Sequence, residues 1–176
     1  MRSFSNVYKL IVAGDGGVGK TTLLYQYVKG TFVENTGMTI GVQFHAKDIT
    51  IEGVLYSLQL WDLGGQDRFR FMLPSYTLGA KGALLLYDLT SMSSLETLEQ
   101  WVTICRTHNS TMPILLCGTK ADLVHERSVQ EDYAKTFLRS LNLIDHLEIS
   151  AKTGQNVEKA FELIVKAIKK ESPKAT

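Results

Sequence analysis

A glycine-rich loop lies between an apolar, strand-like run and a helix-like run near the start of the chain. Residues Gly14 to Thr21 read G-D-G-G-V-G-K-T, which fits the pattern G-x-x-x-x-G-K-[ST], and they follow the apolar run Val7–Ala13. Backbone N–H groups of such a loop can close around phosphate oxygens, and the following helix adds the partial positive charge of its N-terminus. A simple glycine turn beside a solvated lysine is the alternative. The placement predicts a phosphate site.

Within this loop, each residue type has an expected task. Lys20 would reach the outer phosphates, and the hydroxyl of Thr21 would bind a Mg²⁺ ion. Gly16 leaves room above the loop because it has no side chain. The residues expected to contact the phosphates are Asp15, Gly16, Gly17, Val18, Gly19, Lys20, Thr21 and Thr22.

Strand-like apolar runs alternate with helical patterns along most of the chain. The predicted strands are Val7–Ala13, Val42–Ile51, Leu55–Asp62, Gly82–Leu89, Pro113–Gly118 and His146–Ile149. Only Glu52, Gly53 and Val54 separate the second and third strands, which is too short for a parallel crossover, so these two should form an antiparallel hairpin. The sequence therefore predicts an α/β fold with a doubly wound, mostly parallel six-stranded sheet and one antiparallel strand.

Helices are expected between most of the strands. One continues from the glycine loop over Lys20–Lys29. Two serines, Ser93 and Ser128, stand three residues before a glutamate, which is the spacing of a capping box at a helix N-terminus. The last helix has an apolar stripe that should pack on the sheet, formed by Val157, Ala160, Phe161, Ile164 and Ile168.

Length and charge restrict the domain organisation and the partners. The 176 residues suit a single domain, residues 1–176, with short flexible termini at about 1–6 and 171–176. Lysine and arginine number 19 and aspartate and glutamate 18, a net charge of +1, so no overall field attracts nucleic acid, and no nucleic-acid partner is expected. Cys105 and Cys117 lie in apolar segments and suit free thiols in a reducing, cytoplasmic compartment.

The sequence leaves membrane association open. No run of 18 apolar residues occurs, so no transmembrane helix is expected. The last eight residues, 169–176, contain no cysteine that could carry a lipid. Peripheral attachment would follow only if a longer, lipidated tail had been truncated.

The end of the third strand carries a second set of polar residues, D-L-G-G-Q. The Asp62 carboxylate can hold the outer shell of a Mg²⁺ ion, and Gly65 can offer its N–H to a γ-phosphate. Gln66 could orient a water molecule with its amide. Without the glycine loop, the same residues would be read as a plain turn.

The segment Thr31–Phe44 shows no convincing helix or strand before the hairpin begins. Thr39 offers a hydroxyl to the metal and an N–H to the γ-phosphate, although an ordinary loop hydroxyl is the alternative. Phe32 offers an aromatic edge to a purine. A segment of this kind can order and disorder at little cost.

Two further loops follow the predicted fifth and sixth strands. In Thr119-Lys120-Ala121-Asp122, the carboxylate of Asp122 can accept hydrogen bonds from guanine N1–H and from its 2-amino group, which adenine cannot match. In Ser150-Ala151-Lys152, a backbone N–H could meet the guanine O6. Each signal alone is weak, and only their common order along the sheet makes them specific.

Taken together, these loops resemble the Ras superfamily of small GTPases over residues 7–170. The stretches Thr39–Phe44 and Leu85–Trp101 look most like the Rab branch. Trp61–Gln66, W-D-L-G-G-Q, is more similar to Arf proteins and to the fungal septation-initiation GTPases. Thr119 replaces the usual asparagine of the N-K-x-D motif, as is common in the Rho branch, and the lipidated cysteines of Rab, Ras and Rho proteins and the N-terminal glycine of Arf are absent.

The resemblance implies a monomeric switch that binds GTP or GDP with Mg²⁺ and meets effectors, exchange factors and GTPase-activating proteins at two switch segments. We call Thr31–Phe44 switch I and Asp62–Leu78 switch II. No arginine that could act as an internal arginine finger occurs from Gly30 to Phe44, and we expect Arg68 and Arg70 to face solvent or a partner. Hydrolysis, with Gln66, Lys20 and Thr39 as the catalytic set, should therefore be slow until a partner stimulates it.

Two other classes of function remain as alternatives. A GTP-loaded scaffold that does not hydrolyse would signal through its switch surfaces alone, but Gly16, Gln66 and Thr39 would then have no task. A P-loop kinase of nucleotides or metabolites would need an arginine-rich lid, and no such segment is evident.

Overall fold

The computed structural model describes residues 6–172, and the termini expected to be flexible lie outside that range except for residues 6, 171 and 172. Its centre is a six-stranded sheet with the order β2-β3-β1-β4-β5-β6. The strands are β1 Val7–Ala13, β2 Val42–Ile51, β3 Val54–Leu63, β4 Gly82–Asp88, β5 Ile114–Thr119 and β6 Asp145–Glu148. The helices are α1 Lys20–Lys29, α2 Leu73–Tyr76, α3 Ser93–Glu96, α4 Leu98–Cys105, α5 Glu131–Ser140 and α6 Val157–Glu171, with 3-10 helices at Asp67–Met72 and Val124–Glu126.

Strand pairing confirms the predicted fold class. β1 pairs in parallel with β3 on one side and β4 on the other, β4 with β5, and β5 with β6. β2 alone runs antiparallel, against β3, and Ile51 pairs with Val54 across a two-residue turn. Glu52 and Gly53 of that turn have φ of 52° and 77°, so both lie in the left-handed region that a tight hairpin turn requires.

Two apolar clusters cover the two faces of the sheet. Leu10 and Val12 of β1 face one cluster, which includes α1 and α6, while Ile11 and Ala13 face the other, which includes α4. Each buried leucine or isoleucine in such a layer stabilises the fold by about 1.5–3 kcal/mol. The stripe predicted on the last helix is confirmed, because all five of its side chains are buried in the first cluster.

Both expected capping boxes are wrong, although helices do begin nearby. Ser93 lies inside α3, and it is Ser94 whose hydroxyl accepts the backbone N–H of Asp88 at 2.9 Å. α5 begins only at Glu131, after an extended Gln130, and the Ser128 hydroxyl lies 3.5 Å from the Leu89 carbonyl. Hydrogen bonds to the backbone of Asp88 and Leu89, at the end of β4, replace the local hydrogen bonds that a capping box would form.

The parallel strands bring their carboxyl ends to one edge of the sheet. The connections after β1, β3, β5 and β6 therefore emerge together, beside the N-terminus of α1. In doubly wound sheets, ligands bind at this edge, where successive strands depart to opposite sides. No helix within residues 6–172 is long and apolar enough to cross a membrane.

Candidate functional site

The loop after β1 is held in a conformation that requires glycine. Gly14 has φ of 140°, and a Cβ there would collide with the Leu86 carbonyl of β4. Gly17 and Gly19 also have positive φ, at 79° and 99°. Among the described residues, no side chain caps the N-terminus of α1, which begins at Lys20 directly after Gly19. The N–H groups of this first turn suit an anion because no side-chain acceptor competes for them.

Lys20 is buried beneath this loop. Its Nζ donates hydrogen bonds of 2.7 Å to the carbonyls of Gly14 and Asp15. Burial lowers the pKa of Lys20 to about 8, an effect that the nearby Asp62 and Asp15 carboxylates offset in part. A phosphate on the loop would favour the charged ammonium, so the lysine is suited to bind an anion there.

Three oxygens from distant parts of the chain converge next to Lys20. The Thr21 hydroxyl lies 2.7 Å from the Thr39 hydroxyl and donates a 2.6 Å hydrogen bond to Asp62 Oδ2. Asp62 is fully buried, and its Oδ1 has no hydrogen-bond partner among residues 6–172. Burial raises the pKa of this carboxyl, although the hydrogen bond from Thr21 and the nearby Lys20 ammonium act to lower it. Hydroxyl and carboxylate oxygens are the ligands that Mg²⁺ prefers, so this donor set fits the ion.

The two switch segments touch the loop and each other through glycines. The N–H of Gly64 donates a 2.7 Å hydrogen bond to the Gly41 carbonyl. A Cβ on Gly64 would lie 2.7 Å from the Thr39 carbonyl oxygen, and one on Gly65 would collide with the backbone of Gly16. The segment from 31 to 41 contains no helix or strand, as predicted.

Gln66 lines a cavity of about 320 Å³ together with residues of the loop and of both switches. Its Oε1 accepts a hydrogen bond of 3.0 Å from Arg68 Nε, and its Nε2 lies 3.7 Å from the sulfur of Met38. The structure therefore brings Gln66 to the same cavity as Lys20, Thr21, Thr39 and Gly65.

A second cavity of about 230 Å³ adjoins the first and shares Gly19, Thr22, Glu34 and Lys120 with it. Its lining includes Phe32, Asp122, Ala151 and Lys152. The Ser150 hydroxyl, which is fully buried, donates a 2.7 Å hydrogen bond to Asp122 Oδ1. The side chain of Ser150 thus orients the carboxylate, a task that the sequence had not assigned to it.

Thr119 and Lys120 tie this second pocket to the phosphate loop. The Thr119 hydroxyl lies 2.6 Å from the Val18 carbonyl oxygen and 3.0 Å from that of Tyr87, and it donates its one hydrogen between them. Lys120 Nζ donates to the Gly17 carbonyl at 3.1 Å and to Asp88 Oδ2 at 2.6 Å. The hydroxyl of Thr119 therefore acts as a tether inside the protein and is not aimed into the cavity.

Sequence reasoning missed Asp88, whose carboxylate holds both Lys120 and Thr90. The signal was available, because Asp88 follows an apolar strand just as Asp62 does. The expectation that Arg70 faces solvent or a partner is wrong. Its side chain is only 17% exposed and pairs with Asp15 at 2.7 Å, whereas Arg68 is exposed as expected. The Asp15 carboxylate points away from the loop's cavity, toward α4.

The apolar side chains of the switch segments differ in their exposure to solvent. Trp61 and Phe69 are half-buried. Phe71 is 81% exposed and Met38 70%, and the other exposed members of this surface are Ile40, Phe44, Met72 and Leu78. Large apolar side chains exposed on two neighbouring segments are typical of a protein interaction site.

A doubly wound sheet with a glycine loop on the N-terminus of α1, and with a second pocket after β5, defines a P-loop nucleotide-binding protein. The family model described as the Ras family matches residues 9–170. The chain therefore belongs to the Ras family, whose members are small GTP-binding switches that bind guanine nucleotide, typically with Mg²⁺, and act through regulators and effectors.

Proposed function

We propose that this protein is a regulated switch that binds GTP with Mg²⁺, hydrolyses it slowly to GDP and signals through switch I and switch II. The observation that carries this proposal is the pair of adjoining cavities, one above the phosphate loop and one beside Asp122. A nucleoside triphosphate would fill both cavities, with its charged phosphate chain above the loop and its flat base beside Asp122.

Phosphates would lie on the loop residues 15–22, with Lys20 beneath the outer ones. Thr21 and Thr39 would bind Mg²⁺, and Asp62 would stand in its outer shell. When bound, the ion neutralises charge on the phosphates. Because Thr39 belongs to switch I, its hydroxyl links that segment to the state of the nucleotide.

Gln66 would orient the attacking water above the loop, and Gly65 would offer its N–H to the γ-phosphate. Slow hydrolysis is expected because neither arginine of switch II is placed to stabilise the transition state. Arg70 pairs with Asp15, and Arg68, which donates to Gln66, is exposed and therefore screened by solvent. An arginine finger contributes about 10³ to 10⁵ in rate, so a partner that supplies one would act as the activating protein.

Asp122 would select guanine by accepting hydrogen bonds from N1–H and the 2-amino group. The bond from Ser150 leaves this carboxylate fixed in orientation before a base arrives. Phe32, which lines the same cavity, would contact the purine ring.

The pathway is inferred from the resemblance of Thr39–Phe44 and Leu85–Trp101 to the Rab branch, which favours membrane traffic or signalling. The exposed apolar side chains of the switch segments would meet effectors, exchange factors and activating proteins. We further propose a cytoplasmic monomer.

The second candidate is a GTP-loaded scaffold that does not hydrolyse. One observation favours it, namely that Gln66 Oε1 already accepts a hydrogen bond from Arg68. Single-turnover phosphate release from the GTP-loaded protein, with and without cell extract, separates the two, since a scaffold releases no phosphate in either case.

Nucleotide competition tests the proposed substrate directly. GTP, inosine triphosphate and ATP compete for the protein in excess Mg²⁺, and GTP should win by at least about tenfold over inosine triphosphate, which lacks the 2-amino group. In Asp122→Ala this preference should disappear, while Asp132→Ala, an exposed position on α5, should keep it. Equal affinity of the unmodified protein for GTP and ATP would overturn the proposal.

A further inference from the structure

The carboxylate of Asp15 accepts three hydrogen bonds on a single oxygen. Arg70 Nη2 reaches Asp15 Oδ1 at 2.7 Å, and the Thr97 hydroxyl and Trp101 Nε1 each reach it at 2.8 Å. Thr97 and Trp101 belong to the start of α4 and to α4 itself, whereas Arg70 belongs to switch II. Thr97 and Trp101 thus hold the Asp15 carboxylate in place, and Arg70 of switch II binds to it.

Arg70 is bound on several sides at this point. Its Nη1 donates to Gln100 Oε1 at 2.8 Å, and its Nη2 also lies 2.9 Å from Asp67 Oδ1. Its guanidinium carbon stands 4.8 Å from the centre of a Trp101 ring, within the range of a cation–π contact. Because Asp15 is only 23% exposed and Arg70 17%, water and salt screen this pair less than they would screen a surface pair.

The 3-10 helix that carries Arg70 buries few apolar side chains of its own. None of the six residues of this described segment, Asp67–Met72, is buried, and the neighbouring Phe71 is 81% exposed. Apolar burial, the usual source of docking energy for a helix, is therefore small here. Beyond the half-buried Phe69 and the buried Leu73 that follows the helix, the polar contacts of Arg70 to Asp15 and Gln100 attach this helix to the rest of the protein.

We propose that Arg70 is a positioning residue, which docks the 3-10 helix of switch II on the phosphate loop through Asp15 and so sets the place of Gln66 above that loop. Gln66 is the residue immediately before this helix, and its neighbour Gly65 already lies against Gly16. The docking itself rests on contacts within the chain, and its effect on hydrolysis rests on the function proposed above.

A double-mutant cycle tests the effect on hydrolysis. Single-turnover phosphate release is measured for the GTP-loaded protein and for Arg70→Ala, Gln66→Leu and the double variant, with Arg139→Ala as a control at an exposed arginine of α5. Arg70→Ala should lower the rate by about fivefold or more without changing GTP affinity beyond about twofold, and it should have no effect once Gln66 is leucine. An unchanged rate in Arg70→Ala, or an equal loss in the Gln66→Leu background, would overturn the proposal.

Hydrogen exchange tests the docking independently of any reaction. Backbone amides of residues 66–72 should exchange at least about tenfold faster in Arg70→Ala and in Asp15→Asn, and as slowly as in the unmodified protein in Arg139→Ala. Asp15→Asn keeps an oxygen for Thr97 and Trp101 but loses the charge that pairs with Arg70. Unchanged exchange in both variants would refute the docking. A parent protein that releases no phosphate would refute the proposed hydrolysis, and exchange would still decide the docking.

Discussion

Gly64 donates its backbone N–H to the carbonyl of Gly41 at 2.7 Å, so that switch II and switch I are joined by a bond between two residues without side chains. A Cβ on Gly64 would lie 2.7 Å from the Thr39 carbonyl oxygen and 2.8 Å from that of Gly41, closer than such atoms approach in proteins. The contact between the two segments therefore depends on glycine at position 64.

Gly64→Ala should separate the two switch segments. Relief of the clash requires the backbone near Thr39 to move, at an expense of about 1–3 kcal/mol if the strand ends resist. We expect faster hydrogen exchange at residues 39–44 and weaker Mg²⁺-dependent nucleotide binding. Gly16→Ala is the matched control for exchange, because a Cβ there meets no described atom within 4 Å. Unaltered exchange at 39–44 in Gly64→Ala would contradict the role of this bond.

Gln66→Leu should keep GTP binding and lose partner-stimulated hydrolysis. Leucine has a similar size but no amide to orient water, and Gln66 has few contacts with the fold that its loss would disturb. Single-turnover phosphate release with the stimulating partner is the measurement, and the loss should reach at least about a hundredfold.

Gly16→Val should give the same result for a different reason, since it places a side chain in the space between the loop and Gln66. The space is open in the protein, so the loop itself should still fold. A variant of either kind that releases phosphate as fast as the parent would rule out the assigned roles.

Ser150→Ala should weaken GTP binding by about tenfold, because the Asp122 carboxylate loses the donor that orients it, and a bond to a charged group contributes about 1.5–3 kcal/mol. Equilibrium titration with a fluorescent guanine nucleotide measures the effect. Ser140→Ala, which removes an exposed hydroxyl on α5, serves as the control. Equal affinities of the two variants would show that Ser150 does not act on the base pocket.

The stability of the fold should fall as the pH drops below about 6.5, and His146 should contribute to this fall. Its Nε2 lies 2.8 Å from the Tyr87 hydroxyl, and burial lowers the pKa of this imidazole although Glu148, Glu131 and Asp145 act to raise it. Because the pKa is lower in the folded protein than in the unfolded one, the unfolded chain binds more protons as the pH falls.

Urea unfolding from pH 7.5 to pH 5 tests this contribution. His146→Gln should flatten the slope of the unfolding free energy against pH, and His125→Gln, at an exposed histidine, should leave it unchanged. Identical slopes in the parent and in His146→Gln would assign the pH dependence to other groups.

The sequence predicted the sheet well because β4 and β5 are nearly continuous apolar runs and β1 is interrupted only by Lys9, and a buried parallel strand leaves little choice of residues. It also predicted which loops meet, since the carboxyl ends of parallel strands share an edge. It could not predict the bond from Thr97 to Asp15, which joins residues 82 positions apart, and no local spacing signals such a pair.

The same reason explains the errors at Ser93 and Ser128. A capping box is a local rule, and the hydroxyls near those helix starts meet the chain at the end of β4 instead. The direction of the Asp15 and Arg70 side chains likewise depends on where α4 packs, which periodicity does not specify.

Three contacts within the chain restrain the phosphate loop. The Thr119 hydroxyl donates to the carbonyl of Val18, and Lys120 donates to that of Gly17. Thr97, at the start of α4, donates to the Asp15 carboxylate. Much of the conformational entropy of this stretch is therefore lost when the chain folds, and little remains to be lost on association. Binding of the phosphates to the loop should consequently be fast. The slower step should be the ordering of switch I and switch II, which lose conformational entropy when the nucleotide binds.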